Sequence, residues 1–334
     1  MPGTHGDQQT RRTQLSDLSN GYRASATIFS AIELGVFKAL SNESKSADDL
    51  AADLDCSPRG LRILLDALTG LDLLLLDDVR YSLHGLADEF LCLGKHGYMG
   101  DILEHNVAMM KKWVHMAEVV RTDKPIQREK VRSPQELRSF ILGMQNIAAG
   151  SAQQMVEFLD LTNIGRILDL AGGPGTYLHT LLHHLPAARG TVLDFPNVID
   201  IALEQTEKEG LTDRVDFIRG DMFEVEYGGP WDLVIISNII HSFDDSANRY
   251  LFSKAASSLD IGGFLLVKDF FLNENRTSPS DASLFSLNML VATDSGRSYS
   301  WQECELWLAE LGLKLIRRGR VGISSGMILA QKSE

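Results

Sequence analysis

The sequence predicts an α/β protein, a parallel sheet wound with helices, preceded by a smaller helical module. Three observations carry that prediction. From Gly165 onward, short apolar runs alternate with amphipathic helical segments, the pattern of βαβ units. The first of those runs, Arg166-Ile-Leu-Asp169-Leu-Ala171-Gly172-Gly173-Pro-Gly175-Thr176, leaves a strand through a glycine turn and restarts as a helix at Tyr177. The chain before it, by contrast, is dominated by an i, i+3, i+4 apolar spacing, which is helical.

In chain order, Met1 to Thr13 is polar and reads as a frayed tail, and Leu15, Leu18, Tyr22 and the stretch Ser25 to Leu40 carry the helical spacing. Ser46 is an N-cap for a short helix with Asp48 and Asp49 in its first turn, where acids offset the positive end of the helix dipole. Ser57-Pro58 opens another helix, with proline at its first position. Leu73 to Leu76, a turn at Asp77-Asp78, and Arg80 to Leu83 make a β-hairpin. Helix, helix-turn-helix and hairpin in that order describe a winged-helix module. Its would-be recognition helix, Pro58 to Gly70, carries Arg59 and Arg62 but also Asp66, the helix before it is acidic, and the whole chain has a net charge of -13. A nucleic-acid surface needs the opposite balance, so the module reads as a dimerisation and substrate-lid element. The expected divisions are residues 1–97 for this module, 98–160 for helical linker and pocket helices, and 161–334 for the sheet domain.

Tyr98 to Val120 is rich in methionine and holds Trp113; Ser133 to Leu159, capped by Ser133-Pro134-Gln-Glu, holds Phe140 and Met144. Such faces serve core packing and also make adaptable pocket walls. Met99, Trp113, Phe140 and Met144, with Met289 and Tyr299 further on, are the candidate substrate contacts. Strands are expected at Ile167–Leu170, Thr191–Asp194, Val215–Arg219, Leu233–Ser237 and Phe264–Phe271. Helices fall between them at Tyr177–Leu185, Val198–Glu209 and Ala247–Leu259, with Trp301–Leu311 after the fifth strand. Lys314–Gly319 and Gly326–Lys332 look like a closing hairpin at the sheet edge.

Composition sets outer limits. With 44% hydrophobic and 23% charged residues over 334 positions, the chain has the make-up of an ordinary globular protein. The three cysteines, Cys56, Cys92 and Cys304, are scattered, and no secretory signal precedes them. A reducing cytoplasm without disulfides or structural zinc is the expectation. No apolar run approaches the roughly 18 residues that span a bilayer. His179, His183 and His184 have helical spacing but no acid or cysteine in register, so they read as packing or surface histidines and no metal is expected.

In a sheet of this kind ligands sit at the carboxyl ends of the strands. Those ends bear Asp169 and the glycine turn, then Asp194, then Gly220-Asp221-Met222-Phe223, then Asn238-Ile-Ile-His241-Ser-Phe243. A carboxylate at Asp194 suits a ribose diol, since it accepts from two neighbouring hydroxyls. Asp221 and Met222 suit an adenine, with Phe243 covering its other face. Asp169 sets a negative charge where a dinucleotide would need to place its pyrophosphate, and favours an ammonium or sulfonium instead. That choice points to S-adenosylmethionine rather than NAD.

Over essentially its whole length the chain resembles the class I S-adenosylmethionine-dependent O-methyltransferases of the plant caffeate and hydroxyindole type. The matching elements are Leu168-Asp-Leu-Ala-Gly-Gly-Pro-Gly, Val192-Leu-Asp194-Phe-Pro-Asn-Val-Ile, Gly220-Asp-Met-Phe and Ile240-His-Ser-Phe-Asp-Asp. The resemblance implies a Rossmann-like sheet with an N-terminal dimerisation domain, a homodimer, and a small-molecule substrate. It implies that Asp169, Ala171, Gly172, Gly173, Gly175, Asp194, Phe195, Asp221, Met222, Phe223, Ser237 and Phe243 bind the cofactor. It places the general base at His241 and an orienting acid at Asp269. A histidine, with an ordinary pKa of about 6.5, is suited to take a phenolic proton at neutral pH.

Three positions depart from the family's pattern. Ser237 stands where plant members carry a lysine, Ser242-Phe243 stands for an Asp-Trp, and Ser298-Tyr299-Ser300 stands near a Glu-Arg-Thr element whose glutamate is a second orienting acid. Asp269 is then the one candidate partner for His241. The leading reading is O-methylation of an aromatic or polyketide-like hydroxyl. The alternatives are C-methylation of a tetrapyrrole or activated carbon, a relative that binds the cofactor without transferring its methyl, and a winged-helix regulator.

Overall fold

The computed structural model describes residues 5–333 apart from 96, 127–132, 161 and 323–324, and the chain divides into two units after Ala108. The N-terminal unit begins with α1 (His5–Asn20), so the polar start is helical from His5 rather than a tail; its Gln and Arg residues are sound helix formers. Next come α2 (Tyr22–Leu34) and α3 (Val36–Leu40). The expected single helix breaks at Gly35, which takes a left-handed φ of 80° that glycine adopts without strain. Then follow β1 (Lys45–Ser46), α4 (Ala47–Asp53), α5 (Pro58–Gly70), β2 (Leu74–Asp77), β3 (Arg80–Leu83) and α6 (Gly85–Phe90). Ser46 caps α4 by accepting from the Asp49 N–H, and Pro58 opens α5. Strands β1, β3 and β2 form a small antiparallel sheet. Phe37, Leu50, Leu65, Leu68 and Leu74 make the core. Asp66, on the helix weighed above for DNA contact, instead accepts a 2.6 Å hydrogen bond from the Tyr81 hydroxyl.

Helix α7 (Gly100–Trp113) runs through the division between units. It is followed by α8 (Met116–Thr122), so the expected long helix is broken at Val114-His115. Helix α9 (Pro134–Phe158) starts from a full capping box between Ser133 and Glu136, a device worth about 1 kcal/mol.

The second unit is built on β4 (Arg166–Leu170), α10 (Thr176–His184), β5 (Arg189–Asp194), α11 (Pro196–Lys208), β6 (Val215–Arg219), β7 (Trp231–Ser237), α12 (Asp245–Ser258), β8 (Leu259–Asp269), α13 (Ser280–Ala292), α14 (Trp301–Glu310), β9 (Leu313–Val321) and β10 (Ser325–Lys332). The sheet order is β6-β5-β4-β7-β8-β10-β9. It is parallel from β6 through β8, and β10 is antiparallel to both its neighbours. The closing hairpin therefore inserts its second strand beside β8 and leaves β9 at the edge; residues 323 and 324 of its turn lie outside the described residues. Alternation along each strand sends Ile167, Leu233, Ile235 and Leu266 into one core. Leu168, Leu170, Val234, Ile236, Leu265 and Val267 enter the core on the opposite face. Helix α13 has no counterpart among the expected elements. Among the described residues no helix is long and apolar enough to cross a membrane.

Candidate active site

Strand β4 is buried from Ile167 to Leu170, and its turn is shaped by lack of space. A Cβ on Gly172 would lie 2.8 Å from the Asp169 carboxyl, and one on Gly175 would lie 2.8 Å from His179 Nε2. Gly175, at φ 81°, is also the N-cap of α10. Gly173 donates its N–H to Asp194 Oδ2 at 2.9 Å, and Phe195 donates to Asp194 Oδ1 at 2.7 Å. The acid at the end of β5 thus ties its own strand end to the glycine turn.

Asp169 is 0% exposed, and among the described residues neither of its carboxylate oxygens has a hydrogen-bond partner at normal distance, the Leu178 N–H exerting only a small opposing pull. Burial, and then the nearby charge of Asp194, push its pKa to about 7. Asp194 is also raised, because burial outweighs the two N–H groups it accepts. A buried carboxylate without a hydrogen bond is expensive, and such a group in a cleft marks a place for a ligand of opposite charge. The donor set fits a nucleoside that bears an ammonium or sulfonium.

Around the turn, Asp221 accepts the Phe223 N–H at 2.8 Å. Met222 is drawn into the core, and its carbonyl accepts from the Tyr227 hydroxyl and Lys254 Nζ. Phe223 meets the Phe243 ring edge-on with centroids 4.9 Å apart. Ser237 is buried at the end of β7, while Phe195 is 53% exposed.

Beyond β7, Asn238 takes a positive φ of 52° and a 3₁₀ turn, Ile240–Ser242, delivers His241. His241 Nδ1 lies 2.8 Å from Asp269 Oδ1, at the end of β8. The Phe270 N–H donates to the same oxygen at 2.7 Å, and Asp269 Oδ2 is left without a partner. Phe285 of α13 sets its ring against the imidazole at 4.8 Å and stacks on Phe270 at 4.0 Å. Gly296 backs the loop so closely that a Cβ there would overlap the His241 carbonyl. His241 Nε2 has no hydrogen bond among the described residues, which leaves it to face an acceptor.

Ser298, at the expected second acid, turns away from His241 and donates its hydroxyl to the Ala282 carbonyl at 2.8 Å, anchoring α13. Tyr299 is 2% exposed, with its hydroxyl on the Phe243 carbonyl at 2.6 Å and its ring against Trp307. It braces the Phe243 loop. Trp113 donates to Asn288 of α13 at 2.9 Å and packs with Val291 and Ala292. Phe140 packs with Val198 and Ile201 of α11. Met144 is half-buried on α9, and Met289 is buried on α13. Met99 belongs to the N-terminal unit, where its N–H bonds to the Phe90 carbonyl. Of the histidine trio only His179 is buried, where it bonds Thr206 and burial lowers its pKa to about 4, while His183 and His184 are exposed and meet Glu209 and the Thr180 carbonyl.

Phe270 and Phe285 are the site residues that sequence reasoning missed. Phe270 follows Asp269 directly, so its place next to the acid was available as a signal. Phe285 sits on a helix with no polar stripe, and no periodic signal marks it.

A family model described as an O-methyltransferase domain matches residues 113–314, and one described as an O-methyltransferase dimerisation domain matches residues 16–92. A 3-hydroxy-5-methyl-1-naphthoate 3-O-methyltransferase of Streptomyces sahachiroi is 33% identical, over 92% of this chain and 91% of its own. The tetracenomycin polyketide synthesis 8-O-methyl transferase of Streptomyces glaucescens is 28% identical over 95% and 96%. Human N-acetylserotonin methyltransferase, solved in complex with SAM, superposes with a TM-score of 0.86 at 26% identity, over 100% of both chains.

Proposed function

The chain belongs to the O-methyltransferase family, and from that premise we propose that it moves the methyl group of S-adenosylmethionine to a hydroxyl of an aromatic or polyketide-like small molecule, with His241 as the base. The observation that carries the base assignment is the 2.8 Å contact between His241 Nδ1 and a buried carboxylate. Asp269 Oδ1 accepts from Nδ1–H, which fixes the tautomer and leaves Nε2 as an acceptor.

When bound, the cofactor supplies an electrophilic methyl on a positively charged sulfur. Asp169 offers that ligand a counter-charge not engaged by another side chain, Asp194 is suited to its ribose hydroxyls, and Asp221 with Phe243 to its base. At the acceptor, Nε2 takes the hydroxyl proton as the oxygen attacks, and Asp269 stabilises the imidazolium that results. Phe270 and Phe285 form an apolar wall beside the imidazole, which suits a planar substrate and keeps water from the base. Much of the remaining acceleration comes from holding two reactants in line.

His241→Ala should lower kcat by about 10²- to 10⁴-fold, while calorimetry shows S-adenosylhomocysteine bound with unchanged affinity. Full turnover in that variant would remove the base from the mechanism.

The N-terminal unit is proposed to join two copies of the chain. Support comes from the dimerisation-domain match and from Leu15, Leu18 and Tyr22, which are 69%, 77% and 57% exposed on consecutive helices. Sedimentation at micromolar concentration should return twice the chain mass; a monomer would refute the assignment.

A further inference from the structure

A charged residue the proposed chemistry does not use is buried close to the glycine turn. Lys268 is 1% exposed, following the apolar run Phe264–Val267 and directly preceding Asp269, whose Oδ1 is engaged by His241 and the Phe270 N–H. Its Nζ donates to Asn238 Oδ1 at 2.9 Å and lies against the rings of Tyr177, at 5.6 Å, and Phe270, at 5.8 Å. Among the described residues no carboxylate pairs with it. A buried ammonium with one neutral acceptor and two aromatic faces is incompletely compensated, since charge burial demands a counter-ion.

Strand alternation locates it. Lys268 lies two residues beyond Leu266 on β8, and Asp169 two beyond Ile167 on β4; Leu266 and Ile167 share one core. Lys268 and Asp169 therefore rise from the same face of the sheet, on second-neighbour strands with β7 between them. The strands are about 10 Å apart, and the lysine stem shortens that gap. Its contact with Tyr177, in the first turn of α10, shows that it leans toward the glycine turn. Tyr177 is in turn held by a 2.8 Å hydrogen bond to Ser151 of α9.

Two buried groups of opposite sign, neither with a counter-ion among the described residues, thus stand on one face beside the glycine turn. That is the charge pattern of a receptor for a zwitterion. We infer that Lys268 receives the carboxylate of the cofactor's methionyl end while Asp169 receives its ammonium. The inference rests on the cofactor reading above. It adds an anchor for the amino-acid end from the strand that also carries Asp269, so one strand end serves both cofactor and base.

The test uses two ligands on the full-length protein. S-adenosylhomocysteine carries the amino-acid end; 5′-methylthioadenosine lacks it. Lys268→Met should weaken S-adenosylhomocysteine about 10- to 100-fold by calorimetry, the scale of one charge-assisted hydrogen bond, and leave methylthioadenosine within twofold. Lys268→Arg should recover part of the loss. An S-adenosylhomocysteine affinity within threefold of the parent, an equal loss for both ligands, or a loss confined to the methyl acceptor overturns the inference. The last outcome would make Lys268 a receptor for an acidic substrate. If Lys268→Met does not fold, the unaltered protein decides: it should bind S-adenosylhomocysteine at least tenfold more tightly than its carboxamide, and equal affinities overturn the inference. Failure of the unaltered protein to bind S-adenosylhomocysteine at all would instead refute the cofactor reading.

Discussion

Asp169 and Asp269 are both buried carboxylates at strand ends of one sheet, and their surroundings are opposite. Asp269 is tied to an imidazole and to a backbone N–H. Asp169 has no side-chain partner among the described residues, and its pKa stands at about 7. The difference separates two ways of using an acid. Asp269 is spent inside the protein, fixing another side chain. On the function proposed, Asp169 is kept without a side-chain partner, at a cost to the free protein, so that its charge is available to a ligand.

Removing each acid should therefore give opposite signatures. The largest effect is expected at Asp269→Ala, which releases the His241 tautomer and should lower kcat about 10²- to 10³-fold. Asp269→Asn should cost only about tenfold, because the Phe270 N–H still selects an oxygen to face Nδ1 and only the charge is lost. Equal losses in the two variants would show that orientation is not what Asp269 provides. Cofactor affinity should stay level in both.

Asp169→Asn should do the reverse, weakening S-adenosylhomocysteine about tenfold or more with kcat at saturation little changed. Its smallest signature is in stability. The folded carboxyl holds its proton up to about pH 7, while the unfolded one releases it near 4. The free protein is thus progressively penalised as pH climbs from about 4 to about 7, and the penalty is complete above that. Asp169→Asn should raise the melting temperature of the free protein at pH 8 and change it little at pH 4. In the parent protein, S-adenosylhomocysteine affinity should rise with pH up to about 7, because binding needs the ionised acid. A pH-independent affinity, with no stability gain in the variant, would place Asp169 outside the ligand's reach.

What the sequence disclosed follows the same division. The glycine turn is legible because backbone sterics dictate it: the φ values and the space beside Asp169 exclude side chains, and that requirement is written as glycine. Asp194 and His241 are legible because strand ends position them. Helix α13 was not, since Ala282, Leu284, Phe285, Leu287, Met289 and Leu290 surround it with apolar side chains and Pro279 supplies no side-chain cap. Its helicity comes from packing, which local sequence does not encode. Tyr299 looked like a pocket residue and is a brace, because its hydroxyl finds the Phe243 carbonyl from 56 positions away. Lys268 was overlooked beside Asp269, although a lysine that follows the apolar run Phe264–Val267 into the sheet interior is itself unusual.

The insertion of β10 has a consequence in time. Strand β8 would otherwise be an edge, but β10 pairs with it from Gly326 opposite Asp269 to Gln331 opposite Phe264, and β7 covers its other side. The amides around Lys268 and Asp269 are therefore held between two ladders, and freeing them requires a sub-global opening of the sheet. The pair of His241 and Asp269 therefore rests on one of the slowest-relaxing parts of the sheet.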